Sequence, residues 1–411
     1  MTDPESPPFR SLLVLPGHAL NPRTGGGQRT GVFFNALKQL GPTEIVILRE
    51  TPANGAEEFF PGHAGVHHIC TPRFPSRQRG GLALLRANLE RFTLIRREYA
   101  PDPEVTRQIH ALLTPEHRLV AYRYIIAHAV AGLEDGQPDT PPLFVDIDDR
   151  DEQKYQSAAR RMFPAPIFWL FGKLVIPRLR QVVDACIRRA SFVWIAAEED
   201  RAGVAGLPHG VVPNVPFFDI PDDTPAPSTS QELLFVGTFL HRPNQDGARW
   251  FLRNCWPELH ARHPQAVLRI VGLGNWGSLA AEFPDLGGVD YVGTVDEIGP
   301  EYARSRLVIS PLFEGGGSKI KVIEACAFGR PVVASPHSLR GFGDSLPAAI
   351  PGARDAAEFI AACDAILSDP EQADTLGQSL RALQQREFSR QGVEQRIVDQ
   401  IQDALAGSGR P

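Results

Sequence analysis

Cysteine is scarce in these 411 residues, with only Cys70, Cys186, Cys255, Cys326 and Cys363. An odd, widely spaced set offers no disulfide framework and no pair at metal-ligand spacing, which fits reduced, buried thiols in a cytoplasm. Long apolar runs are missing too, and nothing approaches the ~20 residues that span a bilayer. The nearest is residues 167–176, IFWLFGKLVI, interrupted by Lys173 and flanked by Arg160, Arg161, Arg178 and Arg180. It reads as a buried helix with solvated ends, or as an interfacial patch of aromatic and basic residues. Positive charge is not in excess: Lys and Arg number 42 against 48 Asp and Glu, a net charge of −6. A nucleic acid is therefore not an expected partner. The opening MTDPESPPFR is polar and acidic, unlike a signal peptide. His18, His117, His128 and the other histidines form no HExxH or ligand-spaced cluster, so no metal site is expected.

What is present is a strand–helix rhythm. Apolar residues make up 43% and charged residues 22%, the balance of a globular chain, and the length suggests two or three domains. SLLVLPG from Ser11 reads as a buried strand. The loop NPRTGGGQRTG follows it, and then Val32, Phe33, Leu37 and Leu40 recur at helical spacing. Short apolar runs recur at 44–48, 119–124, 143–147 and 192–196. The texture changes at VVPNVPFFDIPDDTPAPSTSQE, a linker composition with five prolines. A second alternating set follows: LLFVGT, VLRIVG, VDYVGT, LVISP and PVVAS. The pattern from about Ala357 to Leu405 is helical. Strands alternating with helices imply α/β domains with parallel sheets.

The densest signal is ISPLFEGGGSKIKVIEACAFGRPVVAS, residues 309–335. A strand ends at Pro311, and Gly315, Gly316 and Gly317 let backbone amides approach a ligand. Ser318 is placed to cap a helix, which puts Lys319 and Lys321 in its first turn. Cations there oppose the helix dipole, and they make sense if an anion binds. Lys321 and Glu324, at i and i+3, share one face.

Two other patterns compete. GLGNWG, residues 272–277, fits a dinucleotide fingerprint after a strand, and Asp296 or Glu297 follows it. The segment before Pro284 is too short for a crossover helix, so an NAD-dependent dehydrogenase is a weaker alternative. Asp146 and Asp148 form a DxD pair, read as structural or acceptor-side acids. Arg123, at the end of a strand, would face the crevice where open sheets bind ligands. His128, in the helix after it, is a second acceptor-side candidate.

Residues 309–335 resemble the donor-binding motif of retaining GT-B glycosyltransferases of the glycosyltransferase 1 type. The resemblance extends through LFVGTFLHRPNQDGARWF, LRIVGLG, VDYVGTVDEI, YARSRLVISPL and PVVASPHSLRGFG, and so covers nearly all of 233–342. It is looser in the first half, at residues 25–27, FVDIDDRDEQKY, WIAAEEDRA and VVPNVPFF. The resemblance implies two facing Rossmann-like domains with parallel sheets. Residues 1–212 would be the acceptor side, 213–231 a linker and 232–385 the nucleotide-sugar domain. Residues 386–411 would form a crossover helix returning to the first domain.

Residue by residue, the resemblance implies that Glu324 holds the donor ribose and Lys321 the diphosphate. Family spacing puts the first glutamate at Gly316; Glu314, two residues earlier, stands in for it as the sugar-binding acid. The Arg and Lys found after the first strand in many relatives are absent, leaving Arg242 as substitute; Asn244 reads as a helix cap. Gly26, Gly27, Gly237, Ser318, Lys319 and the three glycines at 315–317 complete the donor set. The implied reaction moves a sugar, with retention, from a nucleoside-diphosphate sugar to a glycan or lipid-linked acceptor. No cofactor or metal is implied; peripheral contact with the inner face of a membrane is the expectation of the aromatic and basic patch at 167–176. A catalytically silent nucleotide-sugar-binding subunit is the other alternative.

Overall fold

The computed structural model describes residues 9–50, 60, 63–71, 99–148, 150–152, 156, 165–204, 206–221, 223–227, 230–316, 318–350 and 352–407. The side chains at 165, 167, 168, 170 and 171 are not described. The chain forms two compact units. The first takes the described residues within 1–196, 200–212 and 393–411; the second takes 197–199 and those within 213–392.

In the first unit, β1 (Arg10–Pro16), β2 (Thr43–Arg49), β3 (Val66–Cys70), β4 (His117–Arg123), β5 (Leu143–Asp146), β6 (Phe192–Ile195) and β7 (His209–Val211) form one sheet in the order β3-β2-β1-β4-β5-β6-β7. Every pairing is parallel. Leu12, Leu13, Val14 and Leu15 are wholly buried, which is why β1 reads as a continuous apolar run: helices cover both faces of a parallel sheet. α1 (Gly25–Leu40), α2 (Pro103–Leu112), α3 (Ile125–Ala131) and α4 (Ala165–Ile187) supply that cover. The last helix, α12 (Arg390–Gly407), also packs here from Val393 onward. Its Glu394 accepts from Asn35 Nδ2 at 3.1 Å and its Gln400 from Trp194 Nε1 at 3.0 Å. The edge strands β3 and β7 escaped the sequence reading, because VHHIC and HGV are short and half polar.

The second unit carries β8 (Glu232–Val236), β9 (Val267–Val271), β10 (Val289–Gly293), β11 (Leu307–Ser310) and β12 (Val332–Ala334) in the parallel order β10-β9-β8-β11-β12. Around it lie α5 (Arg242–Asn254), α6 (Trp256–Arg262), α7 (Gly299–Arg304), α8 (Ile320–Ala327), α9 (Ser345–Ala349), α10 (Ala356–Ser368) and α11 (Pro370–Glu387). Phe235, Phe251, Trp256, Trp276 and Phe359 anchor its core. Each buried aromatic of this kind contributes on the order of 1.5–3 kcal/mol by leaving water. The proline-rich segment read as a linker is fastened to this unit. Pro225 accepts from Arg330, Pro221 from Arg381 at 2.9 Å and Phe217 from Arg390 at 2.6 Å.

Two local expectations are corrected, at residues 25–27 and 167–176, and a third, at GLGNWG, is met. Residues 25–27 are the first turn of α1 rather than a loop, and Thr24 caps it by accepting from Gly27 N at 3.2 Å. Glycine is required at 27 because a Cβ would lie 1.8 Å from the Asn21 carbonyl oxygen, where the preceding turn folds back. GLGNWG leads into a 3-10 helix, Trp276–Glu282, and not the crossover α-helix that a dinucleotide site needs. Residues 167–176 fall within the 23-residue α4, where Trp169 and Leu174 are 60% and 50% exposed and not buried. Lys173 Nζ lies 4.0 Å from the Trp169 ring centroid. No helix among the described residues is long and apolar enough to cross a membrane.

Candidate functional site

Open parallel sheets bind ligands where the strand order reverses, beyond the carboxyl ends of the strands. In the second unit that point lies between β8 and β11. Both loops leaving it carry predicted site residues. The loop after β8 holds Gly237 and turns into α5; the loop after β11 holds Glu314, Gly315 and Gly316 and turns into α8. Gly317 lies outside the described residues.

The helix start differs from expectation. Lys319 occupies the cap position of α8 and makes no side-chain cap bond. Ser318 does not cap, because its Oγ accepts from Asn214 N at 2.9 Å. Lys319 Nζ instead donates to the carbonyls of Gly315 at 3.1 Å and Gly316 at 2.5 Å. His337 Nε2 contacts the Gly315 carbonyl at 2.7 Å. Burial and the neighbouring Lys319 charge hold His337 below its ordinary pKa. The turn thus closes around Lys319, with Gly315 at φ 106, in the left-handed region glycine tolerates.

Lys321 is buried at the strand switch. Its Nζ donates to Asn244 Oδ1 at 2.8 Å and sits 4.8 Å from the Phe235 ring centroid. Among the described residues no carboxylate forms an ion pair with it. Burial pushes its pKa down to about 7; Lys319 adds to the shift and Glu324 opposes it. Asn244 was expected to cap α5. It is held instead inside the first turn, its Nδ2 donating to Thr238 O at 3.0 Å. A Cβ on Gly237 would come within 2.6 Å of Asn244, so that glycine is what admits the carboxamide.

Glu324 faces Tyr302, whose hydroxyl donates to Oε2 at 2.6 Å and, more weakly, to Lys321 O at 3.5 Å. Burial first, and the Glu324 charge second, raise the Tyr302 pKa well above normal. Tyr302 also stacks on Phe328 at 5.1 Å. Glu314 is half-buried at the mouth of the turn. Arg242 begins α5, and its guanidinium pairs with Asp246 at 3.0 Å on the same exposed helix face. The neighbouring His241 and Pro243 reach within 3.6 Å of where a Gly315 Cβ would stand, so the two loops touch. The structure thus brings Gly237, Gly315, Ser318, Lys319, Lys321 and Glu324 to one place. Asn244, Tyr302 and His337 join them; only pairing across sequence distances of 77, 22 and 22 residues reveals them.

The equivalent switch point of the first unit lies between β1 and β4. Arg123, at the end of β4, is wholly buried and forms ion pairs with Asp146 and, at 3.9 Å, Asp148. It also donates to Thr30 Oγ1 at 3.2 Å and Gly26 O at 3.0 Å. Arg29 meets the same Asp146 carboxylate at 2.6 Å. The DxD pair therefore spends its first acid between two guanidiniums. Tyr124, next in the chain, takes φ 70, rare for a side chain of its size. His128 is enclosed in the core, where its Nε2 meets Cys186 O at 3.1 Å and its ring lies 4.9 Å from Tyr122. Burial, aided by Arg189, drives its pKa down to about 3, so it stays neutral. That placement gives His128 a packing role; Arg123 lies at the strand end as expected, but it is wholly buried against Asp146 and does not face open space.

Comparison with known proteins agrees with this architecture. No curated protein sequence matches the chain. Sucrose-phosphate synthase from Thermosynechococcus elongatus superposes with a TM-score of 0.68 at 18% identity, covering 97% of this chain and all of that one. HepE from Anabaena, solved with UDP and glucose, gives 0.61 at 14% identity, covering 96% of this chain and 100% of the other. WaaG, a glycosyltransferase of lipopolysaccharide biosynthesis, gives 0.59 at 12%, covering 96% and 99%. These likenesses establish the fold, an α/β chain of the GT-B kind with two parallel-sheet units. Residues 230–369, which carry β8 through α10 and the whole Lys321 cluster, match the family model of glycosyl transferases group 1.

Proposed function

We propose that this protein transfers a sugar, with retention, from a nucleoside-diphosphate sugar to a hydroxyl acceptor in the assembly of a polysaccharide or envelope glycan. The observation that carries the reading is Lys321. A buried ammonium that meets only an amide oxygen and a ring face is costly, and an arriving anion would offset that cost. It sits at the strand switch, beside Lys319 and the start of α8, where a diphosphate finds two cations and a helix N-terminus. HepE, solved with UDP-glucose, shares the fold and supports a nucleotide-sugar donor.

The slow step breaks the anomeric C–O bond as negative charge grows on the departing diphosphate. Lys321, Lys319 and the first amides of α8 stabilise that charge; Arg242 adds to it by exchanging Asp246 for the ligand. The acceptor oxygen forms the new C–O bond, and its proton passes to a diphosphate oxygen. Glu324, steadied by Tyr302, accepts from the ribose hydroxyls, and Glu314 takes hydroxyls of the sugar. In the first unit the opening amide of α1, at Gly26, is a second candidate anion-binding feature, whereas the Gly27 amide is taken by Thr24. No protein nucleophile or resident metal is assigned.

Two substitutions separate the roles. Lys321→Ala should weaken a nucleoside diphosphate by roughly 1.5–3 kcal/mol while sparing the nucleoside, which lacks the anion. Glu324→Gln should weaken both by similar factors. Calorimetry with EDTA present reads both; unchanged affinities in both variants would remove the donor site from this segment. Binding without sugar turnover for any acceptor would favour the silent-subunit reading.

We also propose a peripheral membrane contact through the exposed Trp169 and Leu174 with Arg178 and Arg180 on α4. Replacing both arginines by Glu should reduce flotation with anionic vesicles. Equal recovery on neutral and anionic vesicles would end the idea.

A further inference from the structure

The partner of Lys321 is an amide, not an acid, and the difference has chemical content. Asn244 stands at the third position of α5, buried, with every polar group of its carboxamide engaged from the second unit. Nδ2 donates to Thr238 O at 3.0 Å, and Oδ1 accepts from Lys321 Nζ at 2.8 Å. The orientation of the amide is settled by chemistry, because flipping it would set NH2 against an ammonium and oxygen against a carbonyl. Its backbone N–H is also committed, to His241 O at 2.9 Å. Gly237 leaves the carboxamide just enough room. One side chain thus ties the loop after β8 to the helix after β11, across the strand switch.

We propose that Asn244 is the positioning residue for Lys321: it aims the ammonium at the glycine turn through a neutral acceptor and leaves its charge for the ligand. The inference rests on the donor reading of Lys321 and adds a residue to it. An aspartate would fill the same volume and make a stronger bond, but it would cancel the charge beforehand. Among the described residues, the other charged or titratable groups facing Lys321 are few. Lys319 and Glu324 act from the same segment, one in each direction, and Tyr302 meets the Lys321 carbonyl from α7. From the β8 side, among the described residues, it meets Asn244 and the Phe235 ring. Displacing an amide oxygen costs an incoming phosphate oxygen little, whereas displacing a carboxylate means breaking an ion pair.

The experiment compares wild type, Asn244→Asp, Asn244→Ser and Lys321→Ala, using the tightest of UDP, GDP and ADP against its own nucleoside. Calorimetry at pH 8 in Tris and in HEPES counts protons exchanged, and unchanged nucleoside affinity shows that each variant is folded. Wild type should take up part of a proton as the diphosphate binds, because burial leaves the Lys321 pKa near neutrality. Asn244→Asp should take up none, since its lysine is already protonated, and should lose about tenfold in diphosphate affinity. Asn244→Ser, with a neutral acceptor, should keep the proton uptake and most of the affinity; it also serves if the aspartate variant does not fold. If Lys321→Ala loses diphosphate affinity while Asn244→Asp binds and takes up protons like wild type, the positioning role is wrong and the donor site stands. If Lys321→Ala itself binds diphosphate normally, the donor reading falls first.

Discussion

The two strand switches hold similar residue types put to opposite use. In the first unit, Arg29 and Arg123 close on Asp146, and all three are nearly inaccessible. In the second, Lys321 is also buried but meets the Asn244 amide and the Phe235 ring. A buried charge with a buried counter-charge is satisfied by the fold. One without such a partner raises the energy of the empty site and lowers that of an anion-bound one. Burial alone therefore does not mark a binding residue; the charge of what it touches does.

The comparison is broken most directly by removing the counter-charge. Asp146→Ala would leave two buried guanidiniums facing each other and should destabilise the protein by about 3–5 kcal/mol. Denaturant unfolding measures it. A loss below ~1 kcal/mol, the range of surface pairs, would mean the first switch is not neutralised by Asp146.

The second prediction concerns pH. The folded-state pKa of Lys321 is lowered to about 7, below the ordinary ~10.4 of an unfolded chain. Between those values the unfolded state holds a proton that the native state has released, so this group makes stability rise with pH. Below pH 7 both states carry the proton and the cost of the buried charge is fully present. Relative to Lys321→Met, wild type should gain stability from pH 7 to pH 10 by at most about 1.4 kcal/mol per pH unit. A constant difference across that range would show that the ammonium is already compensated.

The smallest effect is expected at Arg242. Exposed and paired with Asp246 on its own helix, it should cost less than about 0.5 kcal/mol of stability when changed to Ala. Its contribution should appear only with nucleoside diphosphate, as a weaker echo of Lys321→Ala in the same calorimetric comparison. A stability loss like that of Asp146→Ala would make Arg242 part of the scaffold instead.

Local pattern carried much of this. The buried runs of β1, β2, β4, β5 and β6 are legible because parallel strands covered on both faces must be apolar throughout. The glycine turn with Lys319 and Lys321 stood out because cations at a helix start oppose the dipole. Which group each one meets was not legible, since hydrogen-bond partners lie on other strands. Ser318 carries a cap signature and is diverted by Asn214; Asn244 carries another and is diverted by Lys321. His128 looked like a crevice residue from its place after β4, and the turn of α3 carries it into the core.

The amino-acid order by itself determined two α/β units with parallel sheets, the change of texture near residue 213, and the glycine turn with its two lysines that is the candidate donor segment. Those features depend on periodicity and on neighbours a few residues apart. Tertiary structure alone decided that Lys321 is held by an amide, that Glu324 is held by Tyr302, and that Arg123 is spent on Asp146. These are contacts between side chains 23 to 77 residues apart, or 22 for Tyr302 with Glu324, brought together only when strands order themselves in a sheet.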